Sequence, residues 1–109
     1  MLLIIRVKAN QETVQKVSED FSGYIKFVVD AEKSILAAGG LRHFEGEELL
    51  LKDGCKQENL WGGGFDLKSK ELDFDSMINI RPKDGNPSRE VLSIGLREKI
   101  EKIVRELLV

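Results

Sequence analysis

One cysteine, one histidine, one tryptophan, one tyrosine and two prolines are all that this chain of 109 residues holds of those types. A lone Cys55 cannot close an intrachain disulfide, so an oxidising compartment gains no support and the cytoplasm is the expected location. One histidine plus one cysteine is also too small a set for a zinc site, and no metal or cofactor is called for. Long apolar runs are missing as well. Leu2-Leu3-Ile4-Ile5 is broken by Arg6, far short of the ~20 residues that a membrane span needs. The basic start and small-residue cleavage site of a secretory signal are absent too, so no membrane partner is expected. Neither sign of charge dominates, with 17 basic against 19 acidic residues. Binding of nucleic acid through a basic excess is therefore disfavoured, and no recognition helix or aromatic pair of an RNA-binding sheet is evident.

What is present is enough apolar material for one core. With 41% of residues apolar, residues 1–109 read as a single domain that needs no metal or disulfide staple. Charge is abundant at 33%, and the Glu, Lys and Ile content resembles usage in thermophiles, where ion-pair networks keep their value.

Periodicity gives the elements. Residues 1–8 predict a short strand buried on both faces near its middle. Asn10 is a good N-cap for a helix to residue 22, with Val14, Val17 and Phe21 on one side and Gly23 as its stop. Residues 24–30 and 34–38 predict a hairpin turning at Asp30-Ala31-Glu32-Lys33. Leu41 to Glu45 reads as loop. Residues 45–53 read as a helix on their leading acids and trailing Gly54, although Leu49-Leu50-Leu51 fits a buried strand nearly as well. Residues 59–66 predict a strand whose Gly62-Gly63-Gly64 permits a bulge or a close backbone approach. A polar loop over 66–71 then leads into an alternating strand from Leu72 to Arg81, which Pro82 ends. Ser93 caps a final amphipathic helix with Leu96, Ile100, Ile103, Val104 and Leu107 as its stripe. The expected fold is α+β: a mostly antiparallel sheet of about five strands, with two to three helices packed on one face.

Two clusters could carry chemistry. Arg81, Lys83, Asn86, Ser88 and Arg89 bracket the Gly85-Asn86-Pro87 turn. Exposed backbone N–H groups beside guanidinium forks suit phosphate or carboxylate, though the same residues suit a turn whose arginines pair with Asp75, Asp84 or Glu90. Trp61, beside three glycines, offers a stacking surface or a core anchor. Together Trp61, Asn79, Arg81, Asn86, Ser88 and Arg89 form the candidate site for a small anionic ligand, with Asp75 as a possible base. Asp73 and Asp75 would share a strand face about 7 Å apart, as either a catalytic pair or solvated charge. His43 is the one side chain that titrates near neutrality unperturbed. Cys55, next to Lys56, could be activated by the ammonium.

The segments Val28-Val29-Asp30-Ala31-Glu32-Lys33, Leu49-Leu50-Leu51, Lys56-Gln57-Glu58-Asn59-Leu60-Trp61-Gly62 and Asp75-Ser76-Met77-Ile78-Asn79-Ile80-Arg81-Pro82, with Gly85-Asn86 and Ser88-Arg89, carry a resemblance. The chain resembles a family of small bacterial and archaeal proteins grouped only as a domain of unknown function. The resemblance implies that serine often stands where this chain has Cys55, which speaks against a cysteine nucleophile. It also implies a longer connection at 66–71 and transfers no catalytic residues. A different class of function stays open: a protein-protein interaction module forming a homodimer through an uncovered sheet edge.

Overall fold

The computed structural model describes all 109 residues. Five strands, β1 (Leu2–Ile5), β2 (Tyr24–Asp30), β3 (Ile35–Gly39), β4 (Leu60–Asp66) and β5 (Leu72–Asp73), form one sheet. Its order is β1-β3-β2-β4-β5, and every neighbouring pair runs antiparallel. The hairpin between β2 and β3 turns where Asp30 Oδ1 accepts from the N–H groups of Glu32 and Lys33 at 2.9 and 2.8 Å. An aspartate that bonds the backbone two and three residues ahead fixes a tight turn, and this sets the register of the central strands.

Because side chains alternate, β2 serves two cores. Ile25, Phe27 and Val29 join the larger one with Trp61, Phe65 and Val91. Helices α1 (Gln11–Ser18) and α3 (Ile94–Leu108) close that face through Val17 and through Ile100, Ile103, Val104 and Leu107. Both helices start as their sequences imply: Asn10 Oδ1 accepts from Thr13 N–H at 2.8 Å, and Ser93 Oγ accepts from Leu96 N–H at 3.2 Å. Val28, Ile35, Ala37, Leu50, Cys55 and Leu60 make the smaller core on the opposite face, under α2 (His43–Lys52). Two helices thus share one face, and the third covers the other. Helix α2 sits close because Gly46 faces the sheet: a Cβ there would lie 3.1 Å from Val28 Cγ2 and 3.3 Å from the Ala37 Cβ.

The helix expected over 45–53 is present, as the leading acids and Gly54 imply, but it begins earlier, at His43, and ends at Lys52. The cause is Glu45, whose Oε1 accepts from the N–H groups of both Leu41 and Arg42 at 3.0 and 2.9 Å and so organises the first turn. The first helix ends at Ser18, with a 3-10 turn over Glu19–Phe21 before Gly23. The larger departure is the strand expected over 72–81. Only Leu72 and Asp73 pair with β4, and 3-10 turns occupy Met77–Asn79 and Pro82–Asp84. Ser76 caps the first of these by accepting from Ile78 N–H, a local side-chain bond that competes with a strand ladder.

Candidate functional site

The segment after β5 is held by two asparagines. Asn79 is fully buried: its Oδ1 accepts from Gly62 N–H at 2.9 Å, and its Nδ2 donates to the carbonyls of Gly62, Phe74 and Arg89 at 2.9 to 3.0 Å. Asn86 does the same for the following turn, donating to the carbonyls of Asn79, Ser88 and Glu90 and accepting from Leu92 N–H at 2.9 Å. These amides replace missing sheet bonds, because a buried backbone polar group must find a partner. Arg81 is a third tie. Its guanidinium stacks on the Trp61 ring at 3.7 Å from the centroid and donates to the carbonyls of Gln57 at 2.5 Å and Leu60 at 2.7 Å. Burial lowers its pKa, and Nε is left without a hydrogen-bond partner, with Asp84 3.9 Å away. The space expected between Trp61 and the 81–89 turn is therefore filled by Arg81 itself.

The concave surface lies elsewhere. A cleft of about 630 Å³ opens on the α2 face of the sheet. Its floor is Tyr24 and Lys26 of β2, one wall is Arg42, His43 and Phe44 at the start of α2, and the other is Asp73, Asp75, Ser76, Met77, Arg89 and Glu90. The glycines of β4 make this floor possible. A Cβ on Gly64 would lie 1.6 Å from the Tyr24 hydroxyl oxygen, and one on Gly62 would lie 2.7 Å from the Ser76 Cβ and 3.1 Å from His43 Cδ2. With no side chain at Gly62 or Gly64, Tyr24, His43 and Ser76 lie flat against the strand.

Each group in the cleft has an identifiable state. The Tyr24 hydroxyl donates to Asp73 Oδ2 at 2.5 Å, and burial followed by that carboxylate raises its pKa, so it stays protonated. His43 Nε2 lies 2.7 Å from the Gly63 carbonyl oxygen. A carbonyl only accepts, so Nε2 carries the proton and Nδ1 is bare. Burial, with nearby Lys26 adding to it, lowers the His43 pKa and keeps the ring neutral at neutral pH. The carboxylates are engaged inside the fold: Asp75 with Arg89 at 3.0 Å, Glu90 with Arg97 at 3.0 Å, and Asp73 with Tyr24. Lys26 and Arg42 pair with no carboxylate. Lys26 lies instead over the Phe21 ring, 5.1 Å from its centroid.

The structure thus divides the residues that the sequence groups together. Asp75 and Arg89 line the cleft beside Asp73 and His43, whereas Asn79, Arg81 and Asn86 spend their polar groups on backbone and Trp61 packs in the larger core under the Arg81 guanidinium. Ser88 Oγ accepts from Glu90 N–H at 3.0 Å within the turn. Cys55 is buried against Asp30, and burial with that carboxylate pushes its thiol up to about 11, the reverse of activation by Lys56. Tyr24, Lys26, Arg42 and Phe44 escape sequence reading. Their one legible signal is the glycine run, which marks a strand face cleared for something to approach.

A family model described as protein of unknown function (DUF5674) matches residues 3–107. No curated protein matches the chain, and no solved structure does.

Proposed function

We propose that this chain, which belongs to the DUF5674 family of proteins of unknown function, binds small anionic ligands in the cleft between the start of α2 and residues 73–77. One observation carries the reading: Lys26 and Arg42 line a 630 Å³ cleft and pair with no carboxylate, while the acids around them each already have a partner. A cleft of this size fits a small molecule. Arg89 is the one residue of the candidate site that joins as a third cation, once its pair with Asp75 opens to an incoming anion.

Thermal shifts with acetate, inorganic phosphate and a sugar phosphate test this. Ligand binding only to the folded state raises the melting temperature with concentration. The expected result is stabilisation by at least one anion that vanishes in Lys26→Gln/Arg42→Gln, each shift being read against the same variant's melting in buffer alone. Arg81→Ala should instead melt lower with or without anion, yet keep the anion's shift. No shift with any anion, or a shift that survives the double variant, overturns the reading.

A second reading, pairing of two copies edge to edge, is favoured by β1. Its Leu2-Leu3-Ile4-Ile5 backbone bonds only to β3, and no proline, bulge or charged side chain within those four residues guards the outer edge. Light scattering across a wide concentration range tests it, and a monomer throughout removes it.

A further inference from the structure

The cleft's ligand can be narrowed by what remains unspent on its walls, an inference that rests on the anion-binding reading above. The neutral hydrogen-bonding groups there are already engaged: the Tyr24 hydroxyl on Asp73, His43 Nε2 on the Gly63 carbonyl, and the buried Ser76 hydroxyl on Ile78 N–H. Beyond the two free cations, His43 Nδ1 is the one ring nitrogen still unbonded. Apolar surface, by contrast, is left over. Phe44 from α2 and Met77 from the opposite wall are 53% and 66% exposed although both line the same cleft. Ile78, packed on the smaller core, adds a third apolar side chain to the lining.

We infer that the cleft takes a small amphipathic acid, its acidic group between Lys26 and Arg42 and its alkyl or aryl part between Phe44 and Met77. The charge complementarity fixes one end and the two unburied side chains fix the other. Methionine suits the second role because its unbranched thioether adapts to ligands of different shape. Nothing in this arrangement calls for base or sugar recognition.

A calorimetric series over acetate, butanoate, hexanoate and phenylacetate, with hexanol, inorganic phosphate and glucose 6-phosphate alongside, separates this inference from the reading beneath it. The expected result is affinity rising two- to fourfold per added methylene, the range that burying each one gives when the site is partly open. Hexanol should bind at least tenfold more weakly than hexanoate. In Phe44→Ser/Met77→Ser, two exposed positions whose change leaves the fold intact, the chain-length dependence should flatten while acetate binding stays. Acetate, phosphate or glucose 6-phosphate binding as tightly as hexanoate would overturn the amphipathic ligand and leave the anion site standing. Hexanol matching hexanoate would sink the anion site itself, and no binding by any acid would sink both.

Discussion

His43 shows how a single residue couples the cleft to the stability of the fold. Its ring is held neutral by burial, which outweighs the pull of the Gly63 carbonyl toward the charged form, while that carbonyl fixes the proton on Nε2. In the unfolded chain the same ring returns to an ordinary value near 6.5. Between the two values the unfolded state binds more protons, so stability falls as pH drops below about 6.5 and levels off under the lower folded value. The carboxylates act in a different window. Asp20, Asp53 and Asp66 are lowered from 3.8 by hydrogen bonds, to the chain's amino terminus, Arg6 and backbone N–H groups respectively. Their stabilisation is present above that value and is lost only as pH falls further. Urea melts between pH 5 and 7 therefore isolate the histidine. The wild type should lose stability over that range with a slope under one proton, and His43→Gln should flatten it. An equal slope in the variant would show that the ring does not titrate differently on folding.

At the scale of elements, the segment from Phe74 to Leu92 is where sequence and structure part. Helix α3 and the β2–β3 hairpin follow directly from periodicity, because nothing competes with their ladders and their caps lie at the expected residues. The alternation from Leu72 to Arg81 is as regular, yet only two of its residues pair with β4. The competing pull comes from side chains: Ser76 caps a 3-10 turn, and Asn79 reaches across to Gly62. Neither bond has a signature in a single sequence, because each depends on a partner that only the folded chain brings close. The candidate site suffers for the same reason. Arginine and asparagine in a turn look alike whether they face a ligand or tie down backbone, and only Asp75 and Arg89 of that set reach the cleft wall. If the tie is what shapes this segment, Asn79→Ala should strand the buried Gly62 N–H and carbonyl and cost roughly 2 kcal/mol or more, at about 1–3 kcal/mol for each group left unpaired. Hydrogen exchange should then quicken at Ser76 and Val91, whose N–H groups bridge the segment to the Arg89 and Phe74 carbonyls. Arg89→Gln removes only an exposed ion pair with Asp75, worth at most about 1 kcal/mol, and should leave both amides protected.

The whole molecule is a sheet one strand-layer thick between two unequal cores, and its cooperativity rests on that shared layer. β2, β3 and β4 each send alternate side chains to both faces, so Phe27 of the larger core and Val28 of the smaller one are bonded neighbours. Loosening α2 should therefore be felt by α1 and α3 through strands they hold in common, and the chain should unfold in one step. Leu50 tests this, since it is fully buried in the smaller core under α2. Leu50→Ala should cost roughly 2–5 kcal/mol, the usual range for truncating a buried leucine, and lower the melting temperature by ten degrees or more for a domain of this size. Trp61 belongs to the larger core on the other face, so its fluorescence reports on the region that the substitution does not touch. Coincident fluorescence and circular-dichroism transitions, both shifted equally by Leu50→Ala, are the expected outcome. An indole transition that stays at its original temperature while the helical signal moves would mean that the two faces melt separately. The cleft, which is walled by α2 on one side and by the Asn79-tied segment on the other, would then open without disturbing the main core.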